Sequence, residues 1–213
     1  MTSTDGSVHI AGRLNQLLAL AGEATLEPDL AARFETYLSL LLRWNARLNL
    51  TAIRDAEGIL SRHFVESIVC ARAIPQGVDT LLDFGSGAGF PGIPIALCRP
   101  EMAVTLAESQ IKKAGFLREA MRTLGLNASV YGNRVESLKA IFDGVTMRAV
   151  DRMEQAVVVA ANRVRPGGWL ILMTTGQEEP ALRVEAGAKF EWSRTVPLPF
   201  SDDRVIVIGS RGE

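Results

Sequence analysis

Polar and apolar positions along the chain follow two different rhythms. Between residues 11 and 73 the pattern repeats every three or four residues: Leu14, Leu17, Leu18 and Ala21, then Phe34, Leu38, Leu41 and Leu42, then Ile59, His63, Phe64 and Ser67. This spacing turns one face of a helix toward a core, and no strand signal interrupts it. Pro28 stands early in its stretch, where a helix tolerates proline. The first ten residues are polar and read as a loose tail.

The rhythm changes at Pro75-Gln76-Gly77. Short apolar runs follow at Thr80 to Phe84, Ala103 to Ala107, Ala128 to Tyr131, Val145 to Val150 and Trp169 to Thr174. Helical patterns lie between them near 91–98, 109–124 and 153–164. Alternating strands and helices mean crossover units and a mostly parallel sheet. Past about residue 187 the helices stop, and Phe190 to Pro197 with Arg204 to Ile208 predict a closing antiparallel pair. The expected fold is α/β: a helical cap over residues 1–75 and a doubly wound domain over 76–213.

Composition narrows what such a chain can be. Of its 213 residues 47% are hydrophobic and 22% charged, which supports a sizeable core and excludes wholesale disorder. Two cysteines, Cys70 and Cys98, are too few for a disulfide scaffold or a zinc site, and no metal is expected. No run approaches the ~20 apolar residues of a membrane span. The N-terminus holds Asp5 and no basic cluster, unlike a secretory signal, so a cytoplasmic location is expected. A net charge of −1 excludes a polybasic nucleic-acid binder and leaves a local basic face open.

The chemistry concentrates in Leu81 to Pro94. An apolar strand runs through Asp83 into Gly85, Ser86, Gly87, Gly89 and Phe90, then into a helix opening with Pro91 and Pro94. Such a loop lets a ligand approach the backbone at the carboxyl end of a strand. Two ligand classes fit: Gly87-x-Gly89-x-x-Gly92 matches the dinucleotide fingerprint, and Asp83-x-Gly85-x-Gly87-x-Gly89 matches the loop of S-adenosylmethionine enzymes. Glu108, at the end of the second strand, suits the ribose hydroxyls of either ligand. Arg165-Pro166-Gly167-Gly168 before the fifth strand, and the closing antiparallel pair, favour the methyltransferase arrangement.

From about Leu41 to Val207 the sequence resembles the ribosomal small-subunit RNA methyltransferase G family, also called glucose-inhibited division protein B. The resemblance rests on Trp44-Asn45, Asn49-Leu50-Thr51, Arg62-His63-Phe64-x-Glu66-Ser67, the glycine loop, Glu108-x-x-x-Lys112-Lys113, Arg134-Val135-Glu136 and Arg148-Ala149. It implies a class I methyltransferase fold, S-adenosylmethionine as cofactor, and methylation of N7 of a guanosine in 16S rRNA. The partner implied is 16S rRNA, the small subunit or its assembly precursor, met by a monomer with no membrane attachment. By position, Asp83, Gly85, Ser86, Gly87, Gly89 and Phe90 would shape the methionine and ribose pocket, and Glu108 would hold the ribose. Val135 and Glu136 would flank the adenine, Arg134 would brace that turn, and Arg148 would face the transfer site. Asn49, His63 and Lys112 would touch the RNA. The chain departs from the family's usual pattern at Glu66, Met147, Asp151-Arg152 and Thr175-Gly176. Guanine N7 carries a lone pair and no proton, so no general base is expected.

Charge is unevenly spread. Residues 109–134 hold five basic residues against one acid, and 43–72 hold five against three. Both ends are acidic: 1–42 has two basic against five acidic residues, and 178–203 has three against six. Positive charge therefore gathers around the proposed site, as a phosphate-contacting face requires. A small-molecule or protein methyltransferase, or a non-catalytic adenosine-binding module on the ribosome, would fit the same loop.

Overall fold

A computed structural model describes residues 7–213; of the loose tail expected over the first ten residues, 1–6 lie outside the described residues and 7–10 are helical. Helix α1 (Ser7–Leu20) begins four residues earlier than the apolar pattern suggests. Helix α2 (Pro28–Leu48) opens on Pro28 with Asp29 in its first turn, where the helix dipole favours an acid. It buries Phe34, Tyr37, Leu38 and Leu41, and ends at Asn49 in the left-handed conformation.

The next stretch departs from the α-helix expected. A single turn, α3 (Ala56–Gly58), capped by Asp55, leads into a π-helix over Ile59–Val65 and then α4 (Glu66–Ala73). The widened turn lets the Arg62 carbonyl, His63 and Glu66 all meet one arginine from the far side of the fold. Such π segments occur often at functional sites.

The second half alternates as the sequence predicts: β1 (Thr80–Phe84), α5 (Gly92–Cys98), β2 (Ala103–Ala107), α6 (Ile111–Leu124), β3 (Ala128–Tyr131), β4 (Phe142–Arg148), α7 (Met153–Ala161) and β5 (Val164–Thr175). Then come α8 (Glu179–Ala186), β6 (Phe190–Pro197) and β7 (Arg204–Arg211). The fourth strand ends at Arg148, short of the Val150 expected, because Ala149 and Arg152 take positive φ of 48° and 51° and turn the chain away. Helix α8 is additional to the sequence reading. It is short and its residues are mostly charged or exposed, with only Leu182 and Ala186 buried, so its periodicity is faint.

The strands lie in the order β3-β2-β1-β4-β5-β7-β6. The first five run parallel, and β7 pairs antiparallel with both β5 and β6. Successive side chains on a strand point to opposite faces. Leu81 and Ile171 accordingly join Leu14, Phe34, Phe64 and Ile93 in one core shared by the N-terminal helices and a sheet face. Leu82 and Leu172 join Val145, Met147 and Val157 beneath α7 on the other face. Among the described residues no helix is long and apolar enough to cross a membrane.

Candidate cofactor and substrate site

The chain order reverses between β1 and β4, the crevice where open α/β sheets bind ligands. A cavity of about 550 Å³ lies there, a volume suited to a small molecule. Strand order sets out its walls in sequence. Val135 and Glu136 follow β3, Glu108 follows β2, the glycine loop follows β1, and Arg148 closes β4. Neighbouring strands stand about 4.8 Å apart, so these groups form a row along the sheet edge.

The glycine loop is held from beneath. Asp83 is fully buried; Oδ2 accepts the Gly92 amide at 3.1 Å and Oδ1 accepts the Thr146 hydroxyl at 3.1 Å. Burial pushes its carboxyl up to about 6, against the pull of these hydrogen bonds. Asp83 therefore supports the loop and does not line the cavity, which corrects its expected place in the pocket wall. Gly89 is likewise internal: at φ +94° its Cβ would come within 2.5 Å of Ile93 Cδ1 and 2.8 Å of Tyr37 Oη. Gly87, at φ +57°, is different; a Cβ there would meet nothing closer than the Gly85 carbonyl at 3.8 Å, so its open side belongs to the cavity.

Helix α2 adds a support from above. Tyr37 Oη donates to the Ala88 carbonyl at 2.6 Å from a fully buried position. Its ring stacks on Phe64 and leans on Phe90, which in turn stacks on His63 at 4.6 Å.

Glu108 spans the loop and the next helix. One oxygen accepts the Gly87 amide at 3.1 Å, and the other accepts the Gln110 amide at 2.7 Å. Each carboxylate oxygen keeps a further lone pair for a ligand hydroxyl. An open glycine backbone, a carboxylate beside it and the Val135 side chain after β3 fit an adenosyl ligand.

Arg148 is the centre of a second arrangement. Its Nη2 donates to Glu66 at 2.8 Å and contacts the Arg62 carbonyl at 3.0 Å and His63 Nδ1 at 3.2 Å. Its Nη1 is buried with no partner. Glu66, fully buried, also accepts from Arg204 Nε at 2.8 Å. Burial raises the Glu66 carboxyl while the two guanidiniums pull it back. Burial, reinforced by Arg148, lowers His63 to about 3, so its imidazole is neutral at pH 7. Nη2 has two hydrogens to share among these three contacts and a guanidinium cannot accept, so Nδ1 faces it unprotonated and the ring proton is placed on Nε2, 2.8 Å from Thr51 Oγ1.

On the far side of Arg148 lies another cavity of about 580 Å³, walled by Arg62, Glu66, Arg152, Arg204, Thr174 and Thr175 among others. The strip from Arg148 to Asp151 lines both cavities.

Of the residues singled out from sequence, Gly85, Ser86, Gly87, Phe90, Glu108, Arg134, Val135, Glu136, His63 and Arg148 come together around the first cavity. Asn49 and Lys112 do not. Asn49 ends α2, with its side chain accepting from Arg54 at 2.9 Å. Lys112 is exposed, and its neighbour Lys113 lines the cavity instead. Sequence reasoning passed over Thr51, Asn133 and Val150 as cavity walls. Thr51 stands in the Asn-Leu-Thr motif, beside the Asn49 expected on the RNA side, so a signal for this wall was present in the sequence.

Residues 30–198 match the family described as rRNA small subunit methyltransferase G. The chain belongs to this family. It is 45% identical over 152 residues to the ribosomal RNA small subunit methyltransferase G of Xanthomonas campestris pv. campestris strain B100, covering 70% of this chain and 71% of that one. The protein of the same name from Stenotrophomonas maltophilia is 44% identical over 168 residues, covering 77% and 76%. Among solved structures, a predicted O-methyltransferase from Agrobacterium tumefaciens is similar with a TM-score of 0.57 at 22% identity, covering 70% of this chain and 81% of that one. A T. thermophilus 16S rRNA methyltransferase in complex with AdoMet and guanosine is similar at 0.55 and 18%, covering 71% and 40%. These two likenesses establish the class I methyltransferase fold. As a family member the chain is an rRNA methyltransferase that uses S-adenosylmethionine.

Proposed function

We propose that the chain methylates N7 of a guanosine in 16S rRNA, with the cofactor in the first cavity and the guanine entering by the second. The observation that carries this reading is the shared strip at the end of β4. Arg148, Ala149, Val150 and Asp151 wall both cavities, so ligands on either side meet over it.

When bound, S-adenosylmethionine supplies an electrophilic methyl group on a sulfonium. The residues of this chain contribute placement. Val135 and Glu136 border the adenine, Glu108 takes the ribose hydroxyls, and Gly85, Ser86, Gly87 and Phe90 border the rest. Ligand and base held in line turn a bimolecular encounter into a local one. The N7 lone pair accepts the methyl without loss of a proton, so no side chain is assigned as a base. The product guanine is cationic, and a guanidinium directly against its ring would oppose that charge. Glu66 answers this by holding Arg148 and Arg204 as an ion-paired wall. Arg62 and Arg152 remain to meet phosphate, a task suited to guanidinium geometry. Lys112 and Asn49, outside the first cavity, are assigned to the RNA side. This reading includes a monomeric, cytoplasmic enzyme acting on the small subunit or its precursor.

Labelled-methyl transfer to undermethylated small subunits, followed by nucleoside analysis, tests the proposal. Label in 7-methylguanosine of 16S rRNA is the expected result. Label on protein or small metabolites alone would replace this reading with another methyltransferase specificity.

A further inference from the structure

Thr51 occupies an unusual position in the first cavity wall. A threonine hydroxyl has two lone pairs and one hydrogen. Here both lone pairs are taken. The His63 Nε2 proton points to Oγ1 at 2.8 Å, a direction forced by Arg148 on the opposite ring nitrogen. The Ile53 amide donates to the same oxygen at 3.2 Å. The hydroxyl hydrogen is left over, on a partly exposed residue that lines the cavity. Thr51 can therefore only donate to whatever lies beside it.

The row along the sheet edge says what that is. The adenine side lies off β3 and the ribose side off β2, whereas Thr51 is tied through His63 to Arg148 at the end of β4. The end of the ligand farthest from adenine is its amino-acid tail. That tail carries an ammonium, which cannot accept a hydrogen bond, and a carboxylate, which can. Three cations, Lys113, Arg134 and Arg148, line the same cavity against Glu108, Glu136 and Asp151, and Arg148 is the cation joined to Thr51 through His63. The guanine is the other candidate acceptor, but Thr51 does not line the second cavity.

We propose that the Thr51 hydroxyl donates to the carboxylate of the cofactor's amino-acid tail, and that His63 and Arg148 act as positioning residues fixing the direction of that donation. This rests on the reading that the first cavity holds S-adenosylmethionine.

Calorimetry on the full chain tests it, with S-adenosylmethionine and its decarboxylated form as the two probes. Thr51→Val should weaken S-adenosylmethionine roughly ten- to a hundredfold, the loss expected for a hydrogen bond to a charged group. Binding of the decarboxylated ligand should stay within twofold of wild type. Thr51→Ser should bind both as wild type does, and Thr51→Ala repeats the test where valine disturbs folding. Equal weakening of both ligands, or of neither, would overturn the proposal. Failure of wild type to bind either ligand would instead remove the cofactor reading, and this proposal with it.

Discussion

Tyr37 and Ala88 are joined across the two halves of the chain: the buried phenol of α2 donates to a carbonyl inside the glycine loop at 2.6 Å. The ligand-binding loop is thereby tied to the N-terminal helices as well as to its own strand. Tyr37→Phe keeps the ring packing on Phe64 and Phe90 but leaves the Ala88 carbonyl without that donor. A buried group losing its partner costs about 1–3 kcal/mol. Chemical denaturation should show that loss, and calorimetry should show weaker S-adenosylmethionine binding. Unchanged affinity alongside the lost stability would mean that the tie serves the fold alone.

Two glycines of the loop should separate stability from binding. Gly89→Ala places a Cβ against Ile93 and Tyr37 in a left-handed conformation, so a loss of several kcal/mol is expected, the range of overpacked and strained core sites. Gly87→Ala meets only open cavity, with a backbone penalty of about 1–2 kcal/mol. Thermal melts should place Gly89→Ala well below Gly87→Ala. Ligand titration should find Gly87→Ala folded yet impaired in cofactor binding.

His63 makes the protein acid-sensitive. Its imidazole stays neutral in the fold down to about pH 3, while in the unfolded chain it protonates near 6.5. Between those values the unfolded state binds the extra proton. Stability from this group is thus complete above 6.5 and falls as pH drops, by about 1.4 kcal/mol per unit well inside the window. Asp83, raised to about 6, acts in the opposite sense in part of this window, so the test is the difference: relative to wild type, His63→Asn should gain stability as pH falls from 6.5 to 5, measured by urea unfolding at each pH. An identical slope in variant and wild type would contradict the assignment.

Glu66 balances two arginines from a fully buried position. Glu66→Gln removes the charge and leaves both guanidiniums without their counter-ion. Breaking a buried pair in this way costs about 3–5 kcal/mol. Unfolding free energy measures it. A combined Glu66→Gln, Arg204→Met variant should recover part of that loss.

The strand and helix alternation was legible because each apolar run is short and bounded by turn residues, and the glycine loop because its spacing permits few readings. Glu108 was legible from its distance to the loop. What escaped the sequence was long-range partnership. Nothing near Arg148 in the sequence names its partner, because its carboxylate is Glu66, 82 positions away. Asp83 carries the same loop signature whether it faces the ligand or the core, and only the Gly92 and Thr146 contacts decide. The end of β4 was set by the backbone of Ala149 and Arg152, residue types that give no warning of positive φ.

The π-helix at Ile59–Val65 gives this site a fixed count of residues. Removing one residue there would let the segment relax to an ordinary α-helix, and the fold could survive. The flanking helices would keep their facing, because the wide turn is what absorbs the extra residue, but the residues inside the segment would shift by one position. Arg62 and His63 would then lose their common aim with Glu66 on Arg148. Substitutions at these positions can be explored one at a time, whereas a change of length would disassemble the arginine's whole set of partners at a stroke.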